Sequence, residues 1–333
     1  MTKRCISFAS LLAVLGFMLS GCDAAAQTAV EMKPPAAEET ATPVEVFDPT
    51  AVDTPAWSPD SSRIAFVHYN NDSGQIYTAH PDGSELTALT RGTGSHIQPA
   101  WSPDGSRIAY ASDKSGVSQV YVMNADGSGA KQLTSDQAND WPQWLPDGST
   151  IAYRTTDGKG LWYWQELDLS SGAVTRLSEP SYDFFYPKPA WSPDGRYEAT
   201  MSLVEQSARN DGSSQIHLKD LSSGTDTALT HDTWANISPV FSSDSRRIAF
   251  FSERDGHYDV YALYVMSLDG SGLRRVSGPM FDGSATASWS PDGKEIIVCW
   301  LYSPKGTLIY DVETGKSRVF LEGKAASNPV WGK

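Results

Sequence analysis

From about residue 48 onward, short apolar runs alternate with clusters of turn residues, and no useful window shows a helical period. Residues 96–134 show the unit. His-Ile-Gln-Pro-Ala-Trp is followed by Ser-Pro-Asp-Gly, Ser-Arg-Ile-Ala-Tyr-Ala-Ser, Ser-Gln-Val-Tyr-Val-Met-Asn, Ala-Asp-Gly-Ser-Gly and Ala-Lys-Gln-Leu-Thr. Four β-prone runs, A to D, are implied. Strand B reads Ile-Ala-Phe/Tyr at 64–66, 108–110, 151–153 and 248–250. Strand C reads Ile-Tyr or Val-Tyr at 76–77, 120–121 and 260–261. Strand D ends in Leu-Thr or Leu-Ser at 89–90, 133–134, 177–178 and 229–230.

The A runs end at Trp57, Trp101, Trp144, Trp191, Phe241, Trp289 and Trp331, spaced 44, 43, 47, 50, 48 and 42 residues apart. A period of this size means a stack of supersecondary units. The Ser-Pro-Asp-Gly that follows Trp101, Trp191 and Trp289, and follows Trp57 and Trp144 with one change and Phe241 in worn form, has a mechanical reading. Proline presets φ, aspartate bonds its own turn backbone, and glycine accepts the left-handed conformation that completes a hairpin. The tryptophan supplies a plate to wedge between neighbouring sheets.

Four-stranded antiparallel units of this length, repeated six times, predict an all-β, six-bladed β-propeller. Seven A-type segments accompany only six sets of B, C and D. The preferred solution is six blades with Ser327–Trp331 as a closing latch; the alternative is a seventh blade completed by residues near 44–50. The Trp-Ser-Pro-Asp-Gly, Ile-Ala-Phe, Ile-Tyr and Leu-Thr series resembles the TolB-type, WD40-like (PD40) β-propeller repeat over about residues 50–333. The resemblance implies protein–protein contact, since TolB docks envelope partners on its propeller. It also marks a departure: TolB is a soluble periplasmic protein with an additional α/β domain before its propeller, whereas an anchor and a short tether precede the repeats here.

In an up-and-down blade the A–B and C–D turns share one face, and the B–C and D–A loops share the other. The first face holds uniform, structural turns. The second holds irregular loops, where function usually resides. The D–A loops run into the innermost strands and border the central channel. Their candidate partner-binding residues are His96 and Gln98, Asp140 and Trp141, Tyr186 and Lys188, Trp234 and Asn236, and Asp282. Aromatics beside amides, carboxylates and a cation suit a peptide or a sugar. In blade 3, Leu161-Trp162-Tyr163-Trp164 reads as core rather than as an exposed patch.

Three features change this picture at its margins. Lys3 and Arg4 precede an apolar run from Ile6 to Leu19 that ends in Leu19-Ser20-Gly21-Cys22, the pattern of a secretory signal. The ending is similar to the bacterial lipobox. Residues 1–21 are thus expected to be a signal, Cys22 the lipidated residue, and 22–47, rich in Ala, Pro, Thr and Glu, a tether before the propeller at 48–333. Asp23 favours inner-membrane retention by the enteric sorting rule. The formal charge of −14 becomes −16 once Lys3 and Arg4 leave with the signal, which argues against nucleic acid, and the lipid is the only membrane contact expected. Cys299, in Ile-Ile-Val-Cys-Trp, reads as a small core residue.

Catalytic signals are missing. There is no Gly-x-Ser-x-Gly elbow and no His-Glu-x-x-His pair. Asn124-x-Asp126-Gly127-Ser128 reads as a hairpin turn rather than a calcium loop, lacking the downstream glutamate. No catalytic residue, metal or cofactor is assigned. The expectation is a monomeric, lipid-anchored, periplasm-facing propeller that binds or scaffolds envelope proteins through its D–A/B–C face. The alternative is a propeller acting on envelope oligosaccharides, which needs His96 and His231 to converge with carboxylates.

Overall fold

The computed structural model describes residues 52–70, 73–178, 188–203, 213–255, 260–281, 285–299, 307–321 and 330–331. The signal, Cys22 and the tether lie outside these residues, as do Tyr186 and Asp282. The described residues contain no helix and form six sheets, antiparallel within each four-stranded blade. Blade 1 comprises β1 (Val52–Trp57), β2 (Ile64–Asn70), β3 (Ser73–Ala79) and β4 (Thr87–Ala88). Blade 2 comprises β5 (His96–Trp101), β6 (Arg107–Ser112), β7 (Gln119–Asn124) and β8 (Lys131–Gln132). In blade 3 these are β9 (Asn139–Trp144), β10 (Thr150–Thr156), β11 (Trp162–Asp168) and β12 (Val174–Arg176). In blade 4 they are β13 (Ala190–Trp191), β14 (Tyr197–Leu203), β15 (Ser214–Asp220) and β16 (Asp226–Ala228). Blade 5 has β17 (Asn236–Phe241), β18 (Arg247–Ser252), β19 (Val260–Ser267) and β20 (Arg274–Arg275), and β21 (Met280–Phe281) also pairs with β19. Blade 6 has β22 (Thr286–Trp289), β23 (Glu295–Cys299), β24 (Leu308–Asp311) and β25 (Ser317–Val319).

The A strands β1, β5, β9, β13, β17 and β22 are innermost; neighbouring A strands touch from β1 through β5 to β9, from β13 through β17 to β22, and from β22 back to β1, and the Gln143 side-chain amide of blade 3 donates to the Pro189 carbonyl of blade 4 at 3.0 Å. Six blades therefore close without a seventh. The last A-type segment, β26 (Val330–Trp331), joins blade 1 as a fifth strand, parallel to its outermost strand β4. It latches the rim of the disk rather than its hub.

The B strands sit at the centre of each sheet, with a blade on either side. Ile64, Ala65, Phe66 and Val67 are all fully buried, so both faces of the strand are apolar and simple alternation is lost. Apolar layers lie between blades: Ala65, Ile76, Ile108 and Tyr110 join blades 1 and 2, and Phe251, Val265, Trp289 and Val298 join blades 5 and 6. Val52, Phe66, Ile297, Ile309 and Phe320 close blade 6 onto blade 1. Cys299 belongs to that closure. It is buried, its thiol faces the Val52 carbonyl at 2.8 Å, and burial pushes its pKa up to about 12. That is the inert core residue expected from its strand.

The repeated sequence elements each have a bonding role. In the Ser-Pro-Asp-Gly turn the Ser102 hydroxyl donates to Asp104 at 2.5 Å and accepts the Arg107 N–H at 2.9 Å. The same pair of bonds recurs at Ser58, Ser192, Ser242 and Ser290. Blade 3 has Leu145 there, and Thr150 supplies the hydroxyl to Asp147 instead. The Thr or Ser after strand D caps a strand C amide that the very short D strand leaves over: Thr90 for Ile76, Thr134 for Val120, Ser178 for Trp164, Thr230 for Ile216 and Ser277 for Leu263. The Asn124–Ser128 stretch is the hairpin turn expected of it, with Gly127 N–H bonded to the Asn124 carbonyl.

Candidate ligand-binding rim

Strand A carries a proline in most blades, and a proline cannot donate to the β ladder. The structure answers with a bulge. Thr54, Gln98, Trp141 and Ser238, each immediately before a proline, take left-handed φ values of 44°, 58°, 50° and 52°. The register with strand B slips at each of these sites. Bulges re-aim side chains, and these stand on the innermost strands near the D–A end, beside the channel. Three of the four (Gln98, Trp141 and Ser238) are partly exposed.

The bulges bring part of the predicted set together. The Gln98 side-chain oxygen of blade 2 accepts the Trp141 backbone N–H of blade 3 at 2.8 Å. Lys188 of blade 4 places its ammonium 5.8 Å from the Trp141 ring centroid, within the range of a cation–π contact. Lys188 is exposed by surface area, yet desolvation by the protein around it lowers its pKa to about 8. Both fit a side chain reaching into a channel that water can enter. Among the described residues no ion pair neutralises it.

Asp140, beside Trp141, is committed elsewhere. It takes a two-pronged contact from Arg154, at 2.8 Å from Nε and 2.6 Å from Nη2, and the Arg154 guanidinium lies 4.5 Å over the Trp162 ring. Burial raises the Asp140 carboxyl above its ordinary range, against the lowering effect of Arg154. Blade 5 holds a matching network. Asp232 pairs with Arg254 at 3.0 Å, and Arg254 also donates to the Asn236 side-chain oxygen at 2.9 Å. Asn236 is fully buried, and its amide nitrogen donates to Asp232 and to the Ser214 carbonyl of blade 4. Trp234 is partly exposed, with its N–H on Asp232 at 3.1 Å. Asn236 thus braces the rim from beneath.

His96 also lies below the surface, 4% exposed. Neither ring nitrogen has a hydrogen-bond partner among the described residues, and burial drives its pKa down to about 4, helped by Lys114. His231 is exposed. Among the described residues no group of three His, Cys, Asp or Glu side chains could hold a metal ion. The aromatic run of blade 3 divides: Trp164 is buried at 2%, whereas Trp162 and Tyr163 are half-buried under Arg154 and Arg176. Sequence reasoning missed Arg154 and Arg254. The signal was present for Arg154, an arginine inside the otherwise apolar Ile-Ala-Tyr strand of blade 3.

The fold and this rim define a six-bladed propeller with a small aromatic and cationic patch spanning blades 2, 3 and 4. The model of the PD40, TolB beta propeller domain matches residues 44–197 and 186–332, and the chain belongs to that family. It is 31% identical over 110 residues to the uncharacterized peptidase YuxL of Bacillus subtilis, and 32% identical over 89 residues to the Tol-Pal system protein TolB of Francisella tularensis. Those matches cover 33% and 27% of this chain but only 16% and 19% of the relatives' own lengths. A solved structure described as a proposed TolB from Agrobacterium tumefaciens superposes with a TM-score of 0.58 at 24% identity, covering 74% of this chain and 88% of that one. That likeness concerns the fold alone.

Proposed function

We propose that this propeller is a binding module of the bacterial cell envelope, which captures a segment of a partner protein at the Gln98–Trp141–Lys188 patch. The observation that carries the reading is the Lys188 ammonium 5.8 Å from the Trp141 ring centroid, which no ion pair neutralises among the described residues. An ammonium without an ion-pair partner suits a carboxylate that brings its own charge, and the ring offers an adjacent apolar face. Arg154, paired with Asp140 beside Trp141, gives that patch a rigid base. The likeness to a Tol-Pal system protein supports a role in the envelope, and acylation at Cys22 would tether the module to a membrane there.

In-cell crosslinking followed by pull-down tests the reading. The wild-type chain should recover a specific envelope protein, and Trp141→Ala and Lys188→Met should each reduce recovery at least tenfold while leaving the melting temperature near that of wild type. Recovery of no envelope protein, or equal recovery by both variants, would remove the reading. Anchoring is tested separately: Cys22→Ala should move the protein from the membrane fraction to the soluble one.

A further inference from the structure

Two blade junctions are fastened on the turn face by the same device. Arg107 of blade 2 lays its guanidinium 4.4 Å over the Trp144 ring of blade 3 and donates to the Gly148 carbonyl at 3.0 Å. Arg247 of blade 5 lies 4.9 Å over Trp289 of blade 6 and donates to the Gly293 carbonyl at 2.8 Å. Each arginine stands six residues after the aromatic of its own blade, and each seat is the tryptophan and turn glycine of the next.

Arg63 holds the same position in blade 1, and its seat would be Trp101 and Gly105. It does not take it. Glu85 draws it away, with Nη2 to Oε2 at 2.7 Å and Nη1 to the Glu85 carbonyl at 3.4 Å. A cleft of about 680 Å³ stands there instead, lined by Trp101, Gly105, Asp60, Asp104, Asp126 and Arg63 among others. Trp101 is partly exposed, its indole N–H is engaged by the Ala56 carbonyl at 3.1 Å, and no cation lies over its ring among the described residues. Asp60 and Asp104 are held at about 2 by hydrogen bonds from Ser58 and Ser102 and from the turn backbone. They are charged throughout the physiological range, and Arg63, the one cation among the described lining residues, is already paired with Glu85.

We propose that the cleft between blades 1 and 2 is a receptor for a guanidinium group, supplied by an arginine side chain of a partner protein. The arginine stacks on Trp101, donates to the Gly105 carbonyl and sits in the field of Asp60 and Asp104, as Arg107 and Arg247 do within the chain at their own seats. A planar guanidinium suits stacking combined with donation to a carbonyl better than the compact ammonium of lysine does. The turn face, whose uniform hairpins read as purely structural, then carries a recognition site of its own.

The probe is acetyl-Gly-Arg-Gly-amide, titrated into the purified full chain by calorimetry or saturation-transfer NMR. It should bind at least tenfold more tightly than the citrulline peptide of equal shape and no charge. Glu85→Ala should release Arg63 onto Trp101 and weaken binding at least fivefold. The double variant Glu85→Ala/Arg63→Ala should regain it, which separates occupation of the seat from damage to the fold. Lys188→Met should leave this binding unchanged, so this site and the rim stand or fall separately. Equal binding of the arginine and citrulline peptides, or a Glu85→Ala variant that binds like wild type, would overturn the proposal.

Discussion

His96 occupies in blade 2 the place that Asn139 and Asn236 fill in blades 3 and 5, and the comparison explains why the asparagines work there. Asn139 donates to the Gln119 side-chain oxygen at 2.9 Å, and Gln119 also receives the Thr134 hydroxyl. Gln75 of blade 1 is the counterpart of Gln119 and receives the Thr90 hydroxyl, but His96 sends it nothing. His96→Asn should therefore restore a bond that the fold already makes elsewhere, raising stability by about 1 kcal/mol. The pH dependence follows from the folded pKa of about 4, below the unfolded value of about 6.5. Between those values the unfolded chain binds more protons, so wild-type stability is full above about pH 6.5 and falls as pH drops towards 4. Melting curves across that window should show a shallower decline for His96→Asn. Parallel curves for the two proteins would refute the assignment.

Strand type and order were open to reading because each run combines a β-prone apolar core with a turn of defined chemistry, and the period fixed the number of blades. The bulges on strand A were less open. The proline two residues before the closing aromatic of each bulged strand stands in plain sight at 55, 99, 142 and 239, but its effect depends on the ladder it interrupts. Which rim residues meet was not legible, since Gln98, Trp141 and Lys188 come from three blades and converge only once the ring has closed. The hydroxyl after strand D is a local device that can be tested alone. Thr134 is 7% exposed and caps the buried Val120 N–H at 3.0 Å. Thr134→Val keeps the shape and strands that amide, which should cost about 1–3 kcal/mol. Lys131→Ala, on the fully exposed strand β8, should leave the denaturation midpoint within error. A Thr134→Val protein with wild-type stability would mean that the amide finds another partner.

A closed ring unfolds from its weakest seam, and the seams of this propeller are not alike. Arginines clasp blades 2 to 3 and 5 to 6, and an apolar layer closes blade 6 on blade 1. Among the described residues no comparable apolar layer joins blades 3 and 4. Carboxylates meet there instead. Burial raises Glu198 above its ordinary range, with Asp226 and Glu166 pushing the same way against Lys219, and Glu166 is raised by its own burial beside Asp147 and Asp168. For an acid whose folded pKa lies above its unfolded one, the cost of burial is absent when the group is protonated and grows as pH rises through the folded value. Glu198→Gln removes that cost while keeping shape and hydrogen-bonding capacity. At pH 7 it should stabilise the propeller by on the order of 1 kcal/mol, or roughly 2–4 °C in melting temperature for a domain of this size. Near pH 4, where wild-type Glu198 is itself largely neutral, the gain should vanish. Hydrogen exchange should place the earliest opening in β11 and β14, the strands that carry Glu166 and Glu198. A gain that is the same at both pH values would show that charge is not what weakens it.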